Sequence, residues 1–153
     1  MGAEFEIPSN CGRYEVRGSV ARQRNDASDT LYALRVTASG RYWDRFALAP
    51  EGDCEDFSAT LGQAVVSKTN LVRLWEHLDR WMNSQEEFEC ALSVPADDQR
   101  LSIALRIVPG VICSSDKPVC IVSYSAFHLL TEVSFVVDQS CVRIFRDSLR
   151  ALL

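Results

Sequence analysis

The chain lacks the composition of fibrous, disordered and membrane-spanning proteins. Only 7 of its 153 residues are glycine and 5 are proline, which excludes collagen and low-complexity disorder. Its longest apolar runs, such as VCIV at 119–122, have the length of a strand and fall well short of the roughly 20 residues that a membrane helix needs. The first ten residues carry two glutamates and a proline where a signal peptide is basic and then apolar. We therefore expect a cytoplasmic protein that contacts no membrane.

The sequence also lacks the common motifs of catalytic, cofactor and metal sites. It has two histidines, His77 and His128, and neither lies in an H-E-x-x-H motif. His128 belongs to the run AFHLL at 126–130, which we predict to be a turn between two strands. There is no G-x-S-x-G elbow and no glycine-rich phosphate loop. The six cysteines include no C-x-x-C pair, and Cys90, Cys120 and Cys141 lie in apolar, periodic segments that are typical of buried thiols. We predict that the protein is not an enzyme and holds no cofactor and no metal.

Acidic residues are in excess and unevenly spread. The chain has 21 aspartates and glutamates against 16 lysines and arginines, a net charge of −5 that disfavours nucleic acid as a partner and favours a basic protein. One acidic stretch is 44–56, next to the aromatic residues at 42 and 43, and a second is 86–98. The aromatic residues either contact a partner or plug the end of the core. We predict these partner-binding residues: Tyr42, Trp43, Asp53, Glu55, Asp56, Glu86, Glu87 and Glu89.

Hydrophobic periodicity predicts the fold class. Leucines 71, 74 and 78 recur on one face of a helix capped by Ser67 or Thr69, and a second helix over 138–153 is capped by Asp138 or Ser140. Six to eight segments alternate apolar and polar residues, as strands with one buried face do. The strands come in runs instead of alternating with helices. The sequence therefore predicts a single α+β domain, 1–153, with an antiparallel sheet of six to eight strands and two amphipathic helices on one face. We find no internal sequence repeat.

Four short segments, in their order along the chain, give a resemblance to a known family. FSATL at 57–61 is followed by the leucine-rich stretch NLVRLWEHL at 70–78, and VSFVVDQS at 133–140 leads into LRALL at 149–153. Over residues 30–153 this order resembles the WapI-type family of bacterial immunity proteins, although Cys141 and Val142 stand where that family has Tyr-Leu and the segment 41–54 is longer. The resemblance implies a protein that binds and neutralises a cognate toxin, often a nuclease. It also implies that Asp138, Gln139 and Ser140 form a structural helix cap.

Three functions remain open at this point. The preferred hypothesis is a non-catalytic protein that blocks a basic toxin by occlusion, with acidic residues steering the encounter and Tyr42 or Trp43 as an aromatic anchor. The first alternative is a small-molecule-binding domain or an enzyme with a pocket between helix and sheet, in which His77 or His128 would lie beside an acid. The second is an adaptor that forms a homodimer through an edge strand or a helix face.

Overall fold

The computed structural model describes residues 3–26, 28–43, 54–95, 98–110 and 116–153, without the side chains of 41–43 and 54–57. Within these ranges the chain forms eight strands and two helices. In chain order they are β1 (Glu4–Pro8), β2 (Tyr14–Asn25), β3 (Thr30–Trp43), β4 (Cys54–Ser67), α1 (Lys68–Ser84), β5 (Phe88–Ala91), β6 (Gln99–Val108), β7 (Lys117–Ala126), β8 (Leu129–Val136) and α2 (Gln139–Arg150).

The strands form two antiparallel sheets in which neighbours in sequence are neighbours in space. One sheet has the order β1-β2-β3-β4 and the other β5-β6-β7-β8. The prediction of an α+β fold with antiparallel strands and two helices is confirmed, and the strands divide into two sheets where we expected one. The division falls at α1, which separates β4 from β5, so that the two sheets are joined there by an isolated bridge between Val66 and Ser93.

Both helices begin at one of the two predicted caps. Ser67 precedes α1 with an extended backbone, and its Oγ accepts a hydrogen bond from the Asn70 N–H at 3.1 Å. Asp138 precedes α2 in the same way, and its carboxylate accepts from the Cys141 N–H at 2.9 Å. Each cap satisfies a backbone donor that the first helical turn would leave unpaired. The apolar stripes face inward, as predicted: α1 buries Leu71, Leu74, Leu78 and Trp81, and α2 buries Cys141, Val142, Phe145 and Leu149.

Helix α2 packs on the first strand of the sheet that it does not directly follow, whereas α1 packs on strands of both sheets. Helix α2 lies on β1, where the rings of Phe145 and Phe5 are 5.4 Å apart and the Glu6 N–H donates to Ser148 Oγ at 3.0 Å. Helix α1 lies against β5 and also contacts α2, to which it is joined by an ion pair between Asp79 and Arg146 at 2.9 Å. The two sheets and both helices therefore share one hydrophobic core.

The chain repeats the order ββββα, although its sequence shows no repeat. The helix caps Ser67 and Asp138 are counterparts, and the match continues backward along the strands. Two residues before each cap, the Val65 carbonyl accepts from the Val94 N–H at 2.9 Å, and the Val136 carbonyl accepts from the Asn10 N–H at 3.0 Å. The sheets thus meet at two seams. The first seam joins β4 to the segment after β5, and the second seam joins β8 to the segment after β1.

Among the described residues, neither helix is both long enough and apolar enough to cross a membrane.

Candidate functional site

The predicted residues of the first acidic stretch fall at the far ends of β3 and β4. In the register of these strands, Tyr42 lies opposite Glu55 and Trp43 lies opposite Cys54. Asp56 follows on β4, opposite Arg41. Asp53 lies outside the described residues, as do the side chains of Tyr42, Trp43, Glu55 and Asp56. Their role in binding a partner stays a prediction, and the backbone adds that the aromatic and acidic residues share one two-stranded segment.

The second acidic group is largely compensated by one arginine. Glu86, Glu87 and Glu89 are all exposed just before or within β5. Arg106 on the neighbouring strand β6 reaches Glu89 at 3.1 Å and Glu87 at 3.7 Å. The Glu87 carboxylate also accepts from the Ile107 N–H at 3.0 Å. Two of these three carboxylates are therefore already engaged within the protein, which weakens the field that this group presents to a partner.

Asp56 and Glu89, one from each acidic group, lie far apart in the fold. The bridge between Val66 and Ser93 fixes the relative position of β4 and the antiparallel segment after β5. Asp56 lies ten residues before the bridge on β4, and Glu89 lies four residues before it on the opposing segment. Because the two segments run in opposite directions, these residues lie on opposite sides of the bridge. The β4 portion alone spans about 33 Å at the rise of a strand.

A more prominent surface feature is the hairpin between β7 and β8. Its tip consists of Phe127, His128, Leu129 and Leu130, and we call it the hairpin tip. Phe127, Leu129 and Leu130 are 74%, 76% and 69% exposed, the most exposed of the large apolar side chains in the described part of the chain. Clusters of exposed apolar side chains are a common feature of interaction sites.

The backbone at Phe127 is left-handed. Its φ is 55°, and it is the first of two residues that connect the paired Ala126 and Leu129. In two-residue hairpins this position is usually glycine, because a side chain there crowds its own backbone. An L residue in the left-handed region costs about 1–2 kcal/mol. The chain thus carries an exposed aromatic side chain at a position where folding alone would favour glycine.

A hollow of about 740 Å³ lies beside the hairpin tip, and its lining includes Asp98, Arg100 and His128. His128 and an acid therefore share a concave surface, as the enzyme alternative expects. His128 is exposed in the turn, and no hydrogen bond or ion pair joins it to Asp98 in the structure as described. His77 is different, since its ring stacks on Phe88 with centroids 4.8 Å apart and burial, followed by the nearby Arg80 charge, lowers its pKa. That stacking is a packing role.

The described cysteines divide into buried and exposed thiols. Cys90, Cys120 and Cys141 are buried, as predicted, and burial raises the pKa of each thiol, that of Cys120 to about 12. Cys11 is exposed, and a hydrogen bond with the Ser9 hydroxyl at 3.3 Å is the main cause of its lowered pKa. Among the described residues, no group of three or more histidines, cysteines and acids is placed to hold a metal ion.

A groove of about 570 Å³ opens at the second seam, and we call it the seam groove. One wall is β8 from Glu132 to Val136, and the other is formed by 9–11 and the start of β2, with Ala38 and Ser39 of β3 also in the lining. Because β8 runs from the hairpin tip into this groove, the two features form a continuous surface along one strand.

Apart from His128, which the enzyme alternative names, no residue of these two features was predicted from sequence to belong to a site. The run AFHLL at 126–130 was predicted to form a turn, and its three large apolar residues at a turn were the available signal. The seam groove depends on how two sheets meet, which no local pattern reveals.

Comparisons of the chain with protein-family models, with curated proteins and with solved structures find no match.

Proposed function

We propose that this protein is a non-catalytic binding protein that neutralises a cognate protein toxin by covering its active surface, with the hairpin tip at the centre of the contact. The observation that carries the proposal is the pairing of exposure and strain at Phe127, which is 74% exposed and has a φ of 55°. The resemblance of 57–61, 70–78 and 133–140 to WapI-type immunity proteins motivates the choice of a toxin as the partner.

Burial of the exposed apolar side chains of the hairpin tip would stabilise a complex. Exposed apolar area gains free energy when a partner removes it from water, at about 25 cal/mol per Å². Large aromatic side chains dominate such contacts when they enter a pocket on the other protein. Phe127 is projected from a two-residue turn on a paired hairpin, so little additional ordering is needed when it binds. A rigid aromatic anchor flanked by Leu129 and Leu130 is the arrangement that a tight protein contact uses.

Electrostatics has a secondary role in this proposal. The net charge of −5 attracts a basic partner at long range and speeds the encounter. Because Glu87 and Glu89 are paired with Arg106, we expect the salt dependence of the association rate to be modest. A toxin that would otherwise damage the cell producing it is met inside that cell, so the proposal implies that the protein acts in the cytoplasm.

The test is to identify a toxin domain among the proteins encoded beside this gene and to co-express it with this protein. The intact protein should restore growth and form a complex with the purified toxin domain. Phe127→Gly should weaken that complex by about tenfold or more while raising the free energy of unfolding by about 1 kcal/mol, because glycine relieves the left-handed strain. Binding is measured by calorimetry and stability by urea denaturation.

A matched control is Ile144→Ser, which removes an apolar side chain of α2 that is 42% exposed and lies away from the hairpin. It should leave the affinity unchanged. The proposal is wrong if Phe127→Gly binds as well as the intact protein, or if the intact protein gives neither growth nor a complex. If Phe127→Gly instead separates a dimer of this chain into monomers, the homodimer alternative is the correct one.

A further inference from the structure

The two seams of the fold share a backbone hydrogen bond at corresponding positions and differ in the side chains that lie between the sheets. Gly62 lies five residues before the cap of α1, and Val133 lies five residues before the cap of α2, so they are counterparts. Across the ladders, Gly62 pairs with Val36 and Val133 pairs with Val122. Ala38 lies two residues after Val36 on β3, and Tyr124 lies two residues after Val122 on β7, so Ala38 and Tyr124 are counterparts as well.

At the first seam, Tyr124 crosses from one sheet to the other. Its ring lies on Gly62 so closely that a Cβ there would be 2.3 Å from Tyr124 Cε1. Its hydroxyl donates to the Gln63 carbonyl at 3.3 Å, at the edge of β4. A tyrosine ring and a glycine thus close this seam together.

At the second seam the corresponding ring is missing. Ala38, the counterpart of Tyr124, and Val133, the counterpart of Gly62, both line the seam groove. The counterpart of Gln63 is Ser134, which also lines the groove. Alternate carbonyls of a strand point to the same side, so the Ser134 carbonyl points to the edge where the Val136 carbonyl accepts from Asn10. The groove therefore offers the apolar surface and the acceptor that Tyr124 uses in the first seam.

The charged side chains at the groove indicate which charge a ligand would carry. Its described lining includes the carboxylates of Glu15 and Glu132 and no lysine or arginine. Glu15 is paired with Arg17 at 2.9 Å. Glu132 accepts a hydrogen bond from Ser123 Oγ at 3.0 Å, and no described cation pairs with it. A basic residue on the ligand would form an ion pair with Glu132.

We propose that the seam groove receives the aromatic side chain of an extended, basic segment of the partner protein, in the position that Tyr124 occupies at the first seam. The inference rests on the proposed function, since it names the chemistry of that partner. Continuity along β8 places such a segment beside the hairpin tip, and its basic residue would pair with Glu132.

The test uses three blocked peptides, Lys-Tyr-Lys, Glu-Tyr-Glu and Lys-Ala-Lys, titrated into the intact protein without any toxin. Lys-Tyr-Lys should shift the methyl resonances of Val133 and Ala38 in NMR spectra, with a millimolar dissociation constant. Lys-Ala-Lys should cause no shift at these methyls, and Glu-Tyr-Glu should bind more weakly than Lys-Tyr-Lys. Glu132→Gln should weaken Lys-Tyr-Lys by about two- to fivefold, the range of an exposed ion pair.

Two variants separate the groove from general effects of substitution. Ala38→Tyr fills the groove from within, as Tyr124 does at the first seam, and should abolish the shift of Val133 while the protein keeps its melting temperature. Ala33→Tyr, on the opposite face of β3, is the control and should bind Lys-Tyr-Lys normally. If Ala38→Tyr unfolds the protein, the groove is not an open counterpart of the first seam, and the proposal is wrong.

The remaining outcomes of these experiments also support or overturn the proposal. The proposal is overturned if Lys-Tyr-Lys does not perturb Val133, or if Ala38→Tyr turns a dimer of this chain into monomers, since the occupant would then be a second copy. Peptide binding without growth rescue would support the groove as a binding site and reject the toxin as partner. Growth rescue without peptide binding would keep the function and reject the groove.

Discussion

The two ββββα halves use the same backbone arrangement and differ where side chains meet between the sheets. In both halves a strand leads into a capped helix, and a carbonyl two residues before the cap accepts from the segment after the first strand of the other sheet. At the first seam Tyr124 on Gly62 closes the contact, while at the second seam Ala38 and Val133 leave a groove of about 570 Å³. The hairpins differ too, since only β7 and β8 are joined, within the described residues, by a two-residue turn with an exposed aromatic side chain.

The difference shows that two units with the same order of elements can pack differently at equivalent positions. A backbone hydrogen bond joins the sheets at both seams, and both sheets share one core, yet a ring fills only the first seam. Protein interiors are packed to the density of organic crystals. A groove at the second seam, where the first seam holds a tyrosine ring, is therefore a departure from this close packing. Both open features, the seam groove and the hairpin tip, include residues of β8.

The largest expected difference between the halves is at the ends of the helices. Trp81 on α1 is 1% exposed, and its counterpart after α2, fourteen residues past the cap in both cases, is the half-buried Leu152. Trp81→Ala should lower the free energy of unfolding by about 3–5 kcal/mol, since it leaves a large cavity. Leu152→Ala should cost less than about 2 kcal/mol. Urea denaturation followed by circular dichroism measures both, and equal losses would show that the two helix ends pack alike.

A smaller difference is expected at the seams themselves. Gly62→Ala places a Cβ 2.3 Å from Cε1 and 2.5 Å from Cγ of Tyr124, so the whole ring has to move, at a cost of about 1–3 kcal/mol. Val133→Ala, the matched change in the open seam, should cost within about 1 kcal/mol because the side chain borders a groove.

The double variant Gly62→Ala with Tyr124→Ala isolates the contact between ring and strand. Removing the ring should make the alanine at position 62 harmless, so the two changes should deviate from additivity by more than about 0.5 kcal/mol. If the changes are additive, Tyr124 does not close the first seam, and the comparison with the open seam fails.

Local features of the fold could be predicted from sequence, and features between sheets could not. The caps at Ser67 and Asp138 and the apolar stripes of both helices follow from residue type and spacing over one or two turns. The division into two sheets depends on which strands do not pair with each other. The alternation of apolar and polar residues within a strand does not identify those strands. The correspondence of Ala38 with Tyr124 requires the register of two separate ladders, which appears only in three dimensions.

The candidate site was less predictable for a related reason. Acidic stretches are visible in sequence, but the arginine that compensates Glu87 and Glu89 comes from the next strand, and its effect follows only once the β5–β6 register is known. Leu129 and Leu130 belong to an apolar segment that ordinarily indicates burial, yet they lie at a hairpin end beyond the reach of the core. Apolar residues at a predicted turn deserve the same scrutiny as charged ones.

The smallest expected difference between the halves is in the pH dependence of their caps. Hydrogen bonds from the Ser140 hydroxyl and then from the Cys141 N–H hold the pKa of Asp138 below its ordinary value of 3.8, whereas the hydroxyl of Ser67 does not titrate in this range. A carboxyl whose pKa is lower in the folded than in the unfolded state stabilises the protein above its unfolded pKa, and this stability is lost as the pH falls through the folded pKa. Asp138→Asn, which keeps a capping side chain, should therefore lower the free energy of unfolding by about 0.5 kcal/mol or less near neutral pH and by a smaller amount at about pH 3. Ser67→Ala should cost about 1 kcal/mol at both pH values. If the loss from Asp138→Asn does not shrink in acid, the two caps are electrostatically equivalent and the halves differ only in packing.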